Sequence, residues 1–186
     1  MASMFNICAI SISWRIVVDP ASKEANGRHI PDPPWLVGVN IVSLVIAVVA
    51  NLSLLGQMTN RLRYNISGPI TIVGFFISGL VDVALVGAAQ AELTLPPSPN
   101  ATYSQAFYYA ALSGAIYVIL AMMLSVTAYG IWFAHYSTEF KLSMSQRSLM
   151  LQTILLLGYI LAGGGIYSTV ESWSYLDAIY FSVVRY

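Results

Sequence analysis

Apolar residues gather in four long runs, and every charged residue but Asp82 lies outside them. The runs are Trp35–Gln57, Ile66–Gln90, Phe107–Ala134 and Ser148–Val170. Each is long enough, as a helix rising about 1.5 Å per residue, to cross a hydrocarbon core roughly 30 Å thick. The third is the longest and would have to tilt or protrude. A fifth apolar stretch, Glu171–Val184, is short and aromatic. Its helical spacing puts Leu176, Ile179, Tyr180 and Val183 on one face, with Trp173 and Tyr175 at its start. Ser174 is placed to cap it, and Asp177 falls where the positive end of the helix dipole favours an acid. A helix over 174–184 reaches only about 15–18 Å and cannot cross. It enters a membrane only where protein covers it; an interfacial amphipathic helix is the alternative.

The chain upstream is less regular. Met1–Trp14 is moderately apolar but too short to span, and it lacks the basic start and cleavage site of a signal peptide. Arg15–Pro34 is mixed in charge. Its closing PDPP stops any helix and leaves Trp35 as an interfacial anchor for the next one.

Composition turns this pattern into a class. Of 186 residues, 58% are apolar and 9% charged, against roughly 45–50% and 25% in soluble domains, and mean hydropathy is +0.72. So few charges cannot coat a soluble globule, which leaves an integral membrane protein. The expected fold class is all-α: four transmembrane helices plus a short C-terminal half-helix of pore type. The expected partner is membrane lipid. A formal net charge of zero gives no reason to expect nucleic acid. The single cysteine, Cys8, excludes an internal disulfide and a cysteine-based zinc site.

Arg61, Arg63, Lys141 and Arg147 fall in the first and third connections, and the second has no basic residue. The positive-inside rule then sets the first and third in the cytoplasm and the second outside. Asn100, in the sequon Asn100-Ala101-Thr102, becomes a glycosylation candidate. The resulting division is an extracellular segment 1–34, a three-span bundle 35–134, a cytoplasmic linker 135–147 and a terminal unit 148–186. An external N-terminus without a signal peptide raises the expectation of a further span upstream.

Polar residues inside the runs are the candidate functional positions. Asp82 sits mid-span, where an ionisable group costs about 2.5–3.5 kcal/mol on insertion scales and must face protein or water. Thr71, Ser78 and Asp82 share its helical face. The stripe serves either as a proton or ion relay or gating contact, or as helix packing satisfied by neighbours. Asn40, Ala47 and Asn51 form a similar stripe on the first run, and interhelical hydrogen bonding accounts for it. Gly158, Ala162, Gly165 and Thr169 line one face of the fourth, as helices in close approach do. The Gly163-Gly164-Gly165 run lacks the lysine of a phosphate loop. Nucleophile and zinc-protease motifs are absent, so no enzyme is expected, and no cofactor.

The closing GGGIYSTVESWSYLDAIYFSVV resembles the segment leading into the first pore of two-pore-domain potassium channels, through Gly164, Glu171, Trp173, Tyr175, Asp177, Ala178, Tyr180 and Phe181. DPPWLVGVNIVSLVIAVVANLSLL, LVDVALV and QRSLMLQTILLLGYILAGGG look like spans of the fungal outward-rectifying (TOK-type) branch, and FNICA looks like the stretch after that family's first span. The resemblance covers nearly the whole chain. It implies a multi-pass plasma-membrane channel that carries potassium outward, potassium as the permeant ion, a homodimer, and Trp173, Tyr175, Asp177, Ala178, Tyr180 and Phe181 in a pore helix. The family's filter threonines and glycines do not follow Val184; Arg185-Tyr186 does. A fragment lacking the filter, non-conducting by itself, is therefore expected. The alternative is a stand-alone four-span transporter or membrane scaffold with Asp82 as its coupling site.

Overall fold

The computed structural model describes residues 1–17, 28–59, 61–92, 101–133 and 144–184. They are mostly helical: α1 Ala2–Ser11, α2 Pro34–Met58, α3 Tyr64–Glu92, α4 Gln105–Trp132, α5 Met144–Val170 and α6 Tyr175–Val184. Four of these, α2 to α5, are long and apolar enough to cross a membrane, the anatomy of a multi-pass membrane protein. Three short strands, β1 Arg15–Val17, β2 Arg28–Ile30 and β3 Ala101–Tyr103, form an antiparallel sheet in the order β2-β1-β3. The all-α expectation omits this sheet.

The packing of α2, α3 and α4 is inverted relative to a soluble bundle. Many of their buried positions are small or polar (Ala47, Ala50, Ser43, Ser67, Ser78, Ser113 and Gly74), with Phe75 stacked on Tyr117 as the large buried pair between α3 and α4. Large apolar side chains point outward, with Val42 56%, Leu52 61% and Val126 71% exposed. Lipid is as apolar as leucine, so nothing drives Leu and Val inward. Helices associate instead by close backbone approach and hydrogen bonds. At the α2–α3 crossing a Cβ on Gly74 would stand 2.8 Å from the Ala50 Cβ, and at the α3–α4 crossing one on Gly79 would stand 2.8 Å from Val118. Ser43 with Ser78, and Ser53 with Ser67, exchange hydrogen bonds between α2 and α3.

α1 packs against α2 and α4 and also touches α6. Its ten residues span about 15 Å, half a hydrocarbon core. α1 runs beside the spans. Hydrogen bonds hold it there: Ser3 Oγ accepts from Asn51 of α2 and from Tyr117 of α4, and Asn6 donates to Asp82 of α3.

The sheet closes one end of this bundle. β1 follows α1, β2 precedes α2 and β3 precedes α4, so the N-terminal segment and the second connection meet on one side. Trp14 is the keystone at 1% exposure. Its indole Nε1 donates to Ala9 O, its backbone N donates to the Asp32 carboxylate, and its carbonyl accepts from Ser104 N. Asp32 also pairs with Arg15 at 4.0 Å. Leu36, Leu85, Ala89 and Phe107 pack round the indole. Asn100, the glycosylation candidate, lies outside the described residues.

Trp14→Ala should cost about 3–5 kcal/mol, whereas Leu52→Ala, on the lipid-facing surface, should change stability by under about 0.5 kcal/mol. Unfolding in micelles followed by circular dichroism checks both; equal losses would contradict this division of core and surface.

Candidate functional site

Two places concentrate the residues singled out by sequence. One is the polar cluster round Asp82, and the other is the α5–α6 unit.

Asp82 is 1% exposed and lies near the middle of α3. Ser43 opposite Ser78 fixes the antiparallel register of α2 and α3. One turn further along both helices, Asn40 therefore faces the level of Asp82. The carboxylate oxygen Oδ2 accepts from Asn6 Nδ2 at 2.8 Å and from Ser113 Oγ at 2.9 Å. Gly114 lets α4 come this close: a Cβ there would stand 3.0 Å from the Asp82 Cβ. The Ser43 hydroxyl lies near the carboxylate, but it is bonded to Ser78. Three buried polar atoms of this cluster have no hydrogen-bond partner: Asp82 Oδ1, Asn6 Oδ1 and Asn40 Nδ2.

The sequence-derived stripe of Thr71, Ser78 and Asp82 is buried along its length. Thr71 bonds back to Ser67 O within α3. Asn40 is buried, and Asn51 reaches both Ser3 Oγ and Ala47 O. Asn6 and Ser113 are the members that sequence reasoning missed. A lone Asn in an apolar ten-residue stretch was a usable signal for the first. Ser113 sits one residue before Gly114, a small pair that marks close helix approach.

In the α5–α6 unit, α5 ends at Val170 and a short turn follows, with Ser172 at φ 55°. Ser174 then caps α6: its Oγ accepts from Asp177 N at 3.2 Å and donates to the Asp177 carboxylate at 2.6 Å. α6 folds back against α5, and the closest approach is at Gly164, where an added Cβ would stand 2.6 Å from Ile179. The packed face of α6 is Tyr175, Ala178, Ile179 and Ser182, not the Leu176, Ile179, Tyr180 and Val183 face expected from spacing. Ala178 is fully buried and Tyr180 is 72% exposed. The glycines make the room: Ser182 sits over Gly163 and Ile179 over Gly164. Tyr175 donates its hydroxyl to Leu161 O at 3.1 Å. Trp173 and Tyr167 each meet Phe181 edge to face.

The α5 stripe of Gly158, Ala162 and Gly165 is uncovered within the chain. Nothing stands within 4 Å of a Cβ at Gly158 or Gly165. Only 11% of the apolar stretch of α5 is buried, against 33% in α2 and α3, so α5 touches little beyond α6. No group of three or more His, Cys, Asp or Glu side chains suited to a metal occurs among the described residues.

No protein-family model matches the chain, and no curated protein or solved structure is found similar to it.

Gly164→Ala should loosen α6 at a cost of about 1–3 kcal/mol through overpacking. Gly158→Ala, in open space, should gain up to about 1 kcal/mol of helix propensity. Amide exchange over 175–184 reads the difference: faster in the first variant and unchanged in the second. The same rate in both would contradict the contact.

Proposed function

We propose that the chain is part of a potassium channel of the fungal outward-rectifying two-pore-domain class, seated in the plasma membrane. In this reading α6 is its pore half-helix and α5 its outer pore-lining helix. The observation that carries the reading is the capped ten-residue α6, turned back by Glu171–Ser174 onto the glycines of α5. A helix too short to cross is tolerated at membrane depth when protein covers one side of it. With the second connection outside, α5 rises outward and α6 returns into the membrane. The carbonyl end of α6, which carries partial negative charge, then points inward and favours a cation.

Residues 1–186 hold no Thr-(Val/Ile)-Gly-(Phe/Tyr)-Gly stretch, so the carbonyl filter that strips a potassium ion of water is not among them. The chain by itself then has no selective path. A homodimer belongs to the same reading, and the bare Gly158–Ala162–Gly165 face of α5 is suited to a second helix. Trp173, Asp177, Tyr180 and Phe181 edge a shallow cleft on α6, where a continuing pore loop would sit. A second reading, a stand-alone four-span transporter or scaffold, draws on the buried Asp82 as its coupling group.

Single cysteines placed along α6 in a Cys8→Ser background test the half-helix. Spin labels at Val183 and Val184 should sit deeper in the bilayer than one at Trp173. Equal, shallow depths would mean an interfacial helix and would remove the channel reading. A chimera carrying residues 1–184 ahead of the filter and remaining spans of an outward-rectifying channel should pass potassium, while the 186-residue chain passes none. A silent but correctly inserted chimera favours the scaffold.

A further inference from the structure

The Asp82 cluster holds a buried acidic side chain with no basic side chain opposite it on the helices packed round it. The helices packed round it, α1, α2 and α4, carry no Asp, Glu, Lys, Arg or His. On α3 itself the other charged residue is Glu92, at the far end. The titratable side chain that interacts with Asp82 is Tyr117 of α4, which is not a cation at neutral pH. A buried carboxylate stripped of a partner is among the costliest single features a bundle can hold, and lipid offers no water to relieve it.

The unpartnered atoms point to what completes the cluster. Asn6 gives an amide hydrogen to Asp82 Oδ2. That leaves Asn6 Oδ1 and Asp82 Oδ1, both buried acceptors, without a hydrogen-bond partner, and the one unpartnered donor of the cluster, Asn40 Nδ2, cannot serve as a counter-charge. Asn6 is fully buried and Asp82 nearly so. Two lone-pair oxygens with a negative charge between them call for a small positive species. Hydroxyl oxygens of Ser43 and Ser113 stand at the same carboxylate.

We propose that Asn6 and Asp82 together form a binding site for one small monovalent cation, filled either by a proton bridging their Oδ1 atoms or by a sodium ion held by them. The shared chemistry is one unit of positive charge on two oxygens. As a proton, it is covalently bound to Asp82 Oδ1 and donated to Asn6 Oδ1, which closes a ring with the Asn6 Nδ2 to Asp82 Oδ2 bond. As sodium, it takes the same two oxygens with the serine hydroxyls completing its shell, oxygen ligands being those a hard cation prefers. This site is independent of the channel reading, since it lies in α1–α4 and needs neither α5 nor α6.

Infrared spectra of the full chain in lipid nanodiscs, in choline chloride and in sodium chloride at matched ionic strength, test the site directly. A carboxylic-acid carbonyl stretch that disappears in Asp82→Asn identifies the proton. Sodium occupancy instead shows as a carboxylate band that shifts when sodium replaces choline, with a Tm that rises with sodium concentration as ligand linkage requires. In Asp82→Asn, isosteric with the neutral acid, the sodium dependence of Tm should vanish. An ionised carboxylate in the wild-type chain, with band and Tm the same in both salts at neutral and alkaline pH, overturns the proposal. That result needs no variant to fold.

Discussion

A carboxylate at the centre of helices that bring it no cation is the constraint round which this bundle is built. Asp82 can stay buried only because Asn6 and Ser113 turn hydrogens toward it. Each comes from a different helix. The bond from Asn6 is what gives α1, ten residues long and with no polar surface of its own to speak of, a defined place among the spans. Ser3, one turn away, adds bonds to α2 and α4 through Asn51 and Tyr117. One short helix is thereby tied to all three of its long neighbours.

Around that centre the ordinary logic of a core is reversed. Serines, alanines and glycines occupy many of the helix contacts, beside a few buried large residues such as Phe75 and Tyr117, and most valines, leucines and isoleucines face out. The outward face gains nothing from burial because its solvent is hydrocarbon. Specificity then has to come from hydrogen bonds and from the few places where a backbone can approach closely: Gly74 at Ala50, Gly79 at Val118, and Gly164 at Ile179. The end of the bundle that carries the sheet follows different rules, since Trp14, Asp32 and Arg15 there resemble the core and ion pair of a water-soluble fold.

Much of this was legible from the letters. Long apolar runs fixed the four spans to within a few residues, because twenty consecutive apolar side chains leave little choice of structure. Ser174 and Asp177 announced the start of α6, and the capping bonds form there. The buried stripe of α3 was legible too, since a lone acid in an apolar helix has to turn inward. Other features were hidden for identifiable reasons. Strands of three residues have no usable period, and β1 finds β3 across a large separation in sequence. α1 has few polar residues, and nothing in their spacing named the partners that Ser3 and Asn6 bond. On α5, the stripe of small residues chosen by spacing was one face removed from the glycines that carry the contact, because adjacent glycines at 163, 164 and 165 leave the packed face undetermined. For α6, spacing marked the face of Leu176, Ile179, Tyr180 and Val183, whereas the contact is made by Ala178, Ile179 and Ser182, where Gly163 and Gly164 leave room.

Everything assigned to the interior depends on α1 sitting against α3 through the pair of Asn6 and Asp82. A double-mutant cycle of Asn6→Ala and Asp82→Ala, read by unfolding in micelles, measures that pair alone. A coupling energy of about 0.6–1.7 kcal/mol, the span from the average to the strongest hydrogen bonds measured between membrane helices, is the predicted result. Strict additivity of the two substitutions would mean that α1 does not meet α3 at this point, and the account of the bundle would fail with it.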